Sequence, residues 1–127
     1  MRSMPGTPEE SRAQLARGLR AGNLNLIRAA AWQLDPLPLD VAFEVLMLIH
    51  RRDPARWSRA GVRWVGRVAL EQSSVVLEDI DTLVDALLTL DRRSRERLRE
   101  LDRRVGLNLC LGLALWPDGD RDEGRTP

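Results

Sequence analysis

The chain has 127 residues, of which 43% are apolar and 31% charged, with a formal net charge of +1. This composition excludes a disordered chain and describes one globular domain, long enough to bury about two-thirds of its unfolded surface. All 20 basic residues are arginine. Without lysine the chain cannot by itself build a Walker A phosphate loop or form a Schiff base with a carbonyl substrate or pyridoxal phosphate.

Aromatic residues are scarce, with one Phe, four Trp and no Tyr, so the core must come from Leu, Val, Ile and Ala. The shared scarcity of lysine, tyrosine and phenylalanine fits the codon usage of a GC-rich bacterial genome. Cys110 is the single cysteine, which excludes an intrachain disulfide and suits a reducing cytoplasm. The first ten residues hold no hydrophobic run of the kind a signal peptide needs. The longest apolar stretch, 105–116, is shorter than the roughly 20 residues of a membrane span. A cytoplasmic protein without membrane association is expected.

Residues 1–6 read as a flexible N-terminal tail. Thr7, Pro8 and Glu10 make a strong helix start: a capping threonine, a proline at the first helical position and a glutamate that completes a capping box. This helix should bury Leu15 and Leu19 and stop at Gly22-Asn23. A second is expected over about 24–34, with Leu24, Ile27, Ala31 and Leu34 at helical spacing. Pro36 and Pro38 break it. The third, over about 39–51, carries Leu39, Phe43, Leu46 and His50 on one stripe. Asp53-Pro54 then supplies a new start.

The fourth helix, about 55–71, gathers Trp57, Ala60, Gly61, Trp64, Val65 and Val68 on one face. The fifth, about 76–90, has Ile80, Leu83, Val84, Leu87 and Leu88 as its apolar face. Asp91 caps a sixth, from Arg92 to about Arg104, which buries Leu98 and Leu101 and ends at Gly106. Leu107, Leu109, Leu111, Leu113 and Leu115 then alternate with other residues. Period two favours a strand, but a strand here would lack a partner, and Leu and Ala favour helix. A short buried helix is expected. An exposed strand would instead serve self-association, making a homo-oligomer through 107–116. Residues 117–127 read as a polar C-terminal tail.

The expected fold is therefore all-α, a single helical domain over 7–116 with about six helices plus a short C-terminal one. Short loops imply antiparallel neighbours. A compact bundle and a short stack of helical hairpins fit the pattern equally.

Charge is segregated along the chain. Residues 51–67 carry six arginines against Asp53 alone, 71–91 carry six carboxylates and no base, and 92–104 carry seven arginines against three carboxylates. Arg56, Arg59, Arg63 and Arg67 fall on one stripe of the fourth helix. Arg92, Arg95, Arg99 and Arg103 fall on one stripe of the sixth, and Glu78, Asp81 and Asp85 form an acidic stripe between them. Either these stripes neutralise one another across neighbouring helices, or an arginine stripe faces outward and holds an acidic partner.

No catalytic constellation is present. His50 is the only histidine and Cys110 lies far from it in sequence, so neither a zinc site nor a nucleophile–base pair is indicated. Ser73 and Ser74 suit a turn, and no G-x-S-x-G or glycine-rich phosphate loop occurs. Asp118, Asp120 and Asp122 resemble the start of a calcium loop, but Glu123 stands where such a loop needs glycine. No metal or cofactor is expected. The helix–turn–helix outline of 39–71, with arginines on its second helix and Trp57 and Trp64 for stacking, allows a nucleic-acid-binding reading. The small net charge, the adjacent acidic segment and the missing turn glycine count against it.

The block Asp53-Pro54-Ala55-Arg56-Trp57-Ser58-Arg59-Ala60-Gly61-Val62-Arg63-Trp64-Val65-Gly66-Arg67 resembles a recurrent element of uncharacterised helical proteins of GC-rich bacteria, and the stretch 34–49 is similar too. The resemblance covers about half the chain. It implies an all-helical fold and supplies no activity and no functional residues. The expected function is that of a non-enzymatic interaction or accessory module. It would bind an unknown protein partner through one of the two arginine stripes, with nucleic acid as the alternative partner.

Overall fold

The computed structural model describes residues 7–34, 36–109 and Leu111. The two predicted tails, the acidic run near Asp118, Cys110 and the leucines beyond Leu111 lie outside the described residues. The described chain is all-α, with no strand. Its contacts gather into two compact units that divide between Pro38 and Leu39.

In the first unit the capping box forms as the sequence predicts. Thr7 Oγ1 accepts the Glu10 N–H and Glu10 Oε1 accepts the Thr7 N–H, each at 3.1 Å, and α1 runs Pro8–Ala21. Gly22 takes the left-handed conformation (φ 66°) that closes the helix. Its N–H and that of Asn23 turn back to the Leu19 and Gly18 carbonyls, the Schellman pattern. Asn23 Oδ1 then caps α2 (Leu24–Gln33) by accepting the Leu26 N–H at 3.2 Å. Leu15, Ile27 and Ala30 are buried, whereas Trp32 stands 83% exposed. The two helices cross closely at Gly18, where a β-carbon would come within 2.8 Å of Ile27 Cγ1 and 3.2 Å of its backbone nitrogen.

The second unit holds α3 (Leu39–Arg52), a short 3-10 turn (Pro54–Arg56), α4 (Trp57–Glu71), α5 (Leu77–Thr89) and α6 (Arg92–Val105). The fourth predicted helix is thus preceded by a tighter turn, in which the Arg56 and Trp57 N–H groups donate to the Asp53 and Pro54 carbonyls three residues back. Asp91 caps α6, accepting the Ser94 N–H at 2.8 Å. The core is one cluster that includes Phe43, Leu46 and Met47 from α3, Trp64 and Val68 from α4, Leu83 and Ala86 from α5, and Leu98 and Leu101 from α6. Trp64 lies at its centre, 3% exposed and 5.1 Å from the Phe43 ring, with its indole N–H donating to the Leu39 carbonyl at 3.0 Å. That bond satisfies the one polar atom the ring takes into the core.

The short helix expected after Gly106 does not form where the chain is described. Gly106 (φ 80°) ends α6, Asn108 is also left-handed (φ 59°), and 107–109 and Leu111 are non-helical. The period-two pattern was nonetheless meaningful: Leu107, Leu109 and Leu111 all turn into the core while Asn108 is exposed. Side chains of α6 take the place of a neighbouring strand. Asp102 Oδ2 accepts the Leu109 N–H at 2.9 Å, and Arg95 Nε donates to the Leu111 carbonyl.

Two substitutions test this packing. Gly18→Ala should destabilise the α1–α2 hairpin by roughly 1–3 kcal/mol, the usual cost of overpacking. Thermal circular dichroism reads this as early loss of part of the helical signal, and an unchanged curve would contradict the close crossing. Trp64→Ala should cost about 3–5 kcal/mol by leaving a cavity in the core. Denaturant titration measures it, and unchanged stability would mean that Trp64 is not in the core.

Candidate functional site

Local ion pairing decides which of the segregated charges remain available. Asp79 sits in the first turn of α5, where its carboxylate accepts the Val76 N–H at 3.0 Å and two bonds from the Arg104 guanidinium of α6 at 2.6 and 3.3 Å. The hydrogen bond from Arg104, followed by that from Val76, holds its carboxyl below the ordinary value of 3.8. Asp85 pairs with Arg97 of α6 at 2.6 Å. Two of α5's acids therefore engage α6, the helix that follows, through Arg97 and Arg104, which lie outside both predicted stripes.

The arginines of the first predicted stripe divide. Arg56 lies 3.5 Å from Asp53, and Arg67 makes a 2.7 Å bond to Glu71 one turn along its own helix. Arg59 and Arg63 are exposed and make no hydrogen bond or ion pair among the described residues. With Arg56 they line a shallow depression of about 680 Å³ that also reaches Ile49 of α3. On α5, Asp81 is exposed and likewise without such a bond among the described residues.

The second predicted stripe does not present one free basic face. Arg95 is turned inward, its side chain 14% exposed and its Nε bound to the Leu111 carbonyl. Arg99 pairs with Glu96 at 3.2 Å, and Arg92 is exposed but engaged. Arg103 is exposed beside a depression shared with Thr82 and Glu100. Helical spacing placed Arg95 with the others, but α6 has to hold the leucine segment, and Arg95 is the side chain within reach of the Leu111 carbonyl.

A separate apolar groove of about 210 Å³ runs between α4 and α5, lined by Trp57, Gly61, Val62 and Val65 on one side and Val84, Leu87 and Leu88 on the other, and Arg59 and Arg63 do not line it. Gly61 forms part of its wall, and a β-carbon added there would meet nothing within 4 Å. Val84 and Leu88, expected inside, are instead 42% and 76% exposed. The apolar arc of α5 is wider than the surface α4 and α6 offer it, so its outer flank stays uncovered. Val62 and Leu70 of α4 are also uncovered, 73% and 89% exposed. Both lie outside the arc that Trp57 and Trp64 define at 100° per residue, which was the one sequence signal for them.

The tryptophans play other parts. Trp64 is buried, and Trp57 is half-buried with His50 edge-on to its ring at 4.7 Å. Among the described residues no three His, Cys, Asp or Glu side chains converge as metal ligands, and no helix is long and apolar enough to cross a membrane.

The Asp79–Arg104 link carries a pH signature. A carboxyl held below its ordinary value stabilises the fold above that value and loses the contribution as pH falls through its folded-state value. Asp79→Asn should therefore lower the Tm at neutral pH, and the gap to the parent chain should close as pH drops below about 3.8. A gap that stays constant from neutral pH to pH 3 would contradict the link. No family model, curated protein or solved structure matches the chain.

Proposed function

We propose that this chain is a non-enzymatic helical interaction module that holds a protein partner on the exposed face of α4 and the adjoining groove. The observation that carries this reading is the pair Arg59 and Arg63, left without an ion pair among the described residues on the helix that also exposes Val62, whose groove Val84 and Leu88 complete. Interfaces combine such elements: an apolar centre supplies burial, and flanking charge supplies register and discrimination. Composition supports a setting in the reducing cytoplasm of a GC-rich bacterium, through the single cysteine and the absence of lysine.

Nucleic acid is the weaker reading. Stacking needs exposed rings, yet Trp64 is buried, and the unpaired Asp81 stands on the helix next to the arginines. Tagged chain should retain a protein from nuclease-treated lysate of its source organism, and Arg59→Glu/Arg63→Glu should lose it. Equal retention by the variant would sink the reading. Binding of generic duplex or single-stranded nucleic acid at low salt, falling steeply as salt rises, would put the alternative in its place.

A further inference from the structure

We propose that the partner on the α4–α5 face is a second copy of this chain, related by a two-fold axis running along the helical hairpin. The inference rests on the interaction reading above and names its occupant. It starts from apolar surface: Val62 and Leu70 on α4, with Leu77, Val84 and Leu88 on α5, are each at least 42% exposed. Val62, Val84 and Leu88 share the walls of one groove, and uncovered apolar side chains gathered in this way mark interaction surfaces.

Charge selects what covers it. The exposed side of α4 carries Arg59 and Arg63, and α5 carries Asp81 next to Leu77 and Val84 on one helical face, all three without an ion pair among the described residues. A uniformly acidic partner would meet Asp81, and a uniformly basic one would meet Arg63. The complementary surface has to carry both signs on separate sides of an apolar centre, and the face itself has that pattern. A two-fold axis along the hairpin stacks α4 of each copy on α5 of the other, so every contact is repeated with its sign matched, as an isologous interface requires.

The heights agree as well. Residues 57–65 of α4 line the groove opposite 84–88 of α5, so the two helices run antiparallel. At about 1.5 Å rise per residue, the two-fold axis brings Leu70 of one copy level with Leu77 of the other. Val62 comes level with Val84, and Arg63 falls between Asp81 and Asp85. The exposed Gly66, beside which an added β-carbon meets nothing within 4 Å, leaves room for the opposing side chains.

Sedimentation velocity on the purified full chain should show twice the 14.4 kDa monomer mass, with a dimer weakened by salt. Arg59→Glu/Arg63→Glu and Asp81→Arg should each dissociate roughly tenfold or more easily, because each sets like charges against one another across the interface. Both variants change exposed side chains, and circular dichroism should confirm unchanged helicity. Mixing the two should restore a heterodimer, a result that misfolding or general charge effects would not give. A wild-type chain that stays monomeric at high concentration overturns the proposal, as does a dimer indifferent to both variants and to Leu88→Asp. A monomer that still captures a host protein through Arg59 and Arg63 would remove the second copy and leave the interaction reading in place. Capture that ignores those arginines would remove both.

Discussion

The second unit depends on burying Trp64. An indole is the largest apolar surface a side chain can offer, but its N–H needs an acceptor once water is excluded. The Leu39 carbonyl supplies it from the first residue of α3, on the chain's other side of the intervening turn. With the ring held against Phe43, the rotation of α4 about its axis has no remaining freedom. Val65 and Val68 must follow the ring inward, and Gly61 turns toward α5. The residues across the helix, Arg59, Val62, Gly66 and Leu70, are left on the outside.

That rotation also determines how the charge blocks balance. A single acidic helix with basic neighbours on either side in sequence could be neutralised by both. In the fold, Asp79 and Asp85 are engaged by Arg104 and Arg97 of α6, while Arg56 and Arg67 find carboxylates near them in their own segment. Apart from the buried Asp79 carboxylate, these are exposed pairs that contribute roughly 0–1 kcal/mol each, so their arrangement shapes the surface more than it stabilises the core. What they leave over, among the described residues, is Arg59 and Arg63 on α4 and Asp81 on α5.

The leucine segment after Gly106 solves a backbone problem with side chains. Non-helical chain laid on a helical core has no neighbouring strand, and buried N–H and C=O groups without partners are costly. Asp102 and Arg95 supply one acceptor and one donor, so three leucines enter the core without a sheet. The same contact withdraws Arg95 from the surface, and one side chain cannot both hold this segment and serve a partner.

Much of the helical layout was readable from the chain because its signals act within four residues. Thr7 with Glu10, Asn23, Asp91 with Ser94, and Gly22 and Gly106 mark helix ends by bonds that close locally. Helical spacing alone likewise assigned Trp64, Val68, Leu83 and Leu98 to the interior. Period two correctly put Leu107, Leu109 and Leu111 on one side, but could not say that α6 would replace a strand. By itself the sequence determined an all-α chain, the positions of its six helices and the residues central to its core. Only the tertiary structure decided that Val84 and Leu88 stay uncovered, that Arg95 turns inward and that Arg59 and Arg63 keep no partner among the described residues. Hydrophobicity and charge state what a residue can pair with. Which pairing occurs depends on the helix that arrives beside it, and its position is settled by packing between residues far apart in the chain.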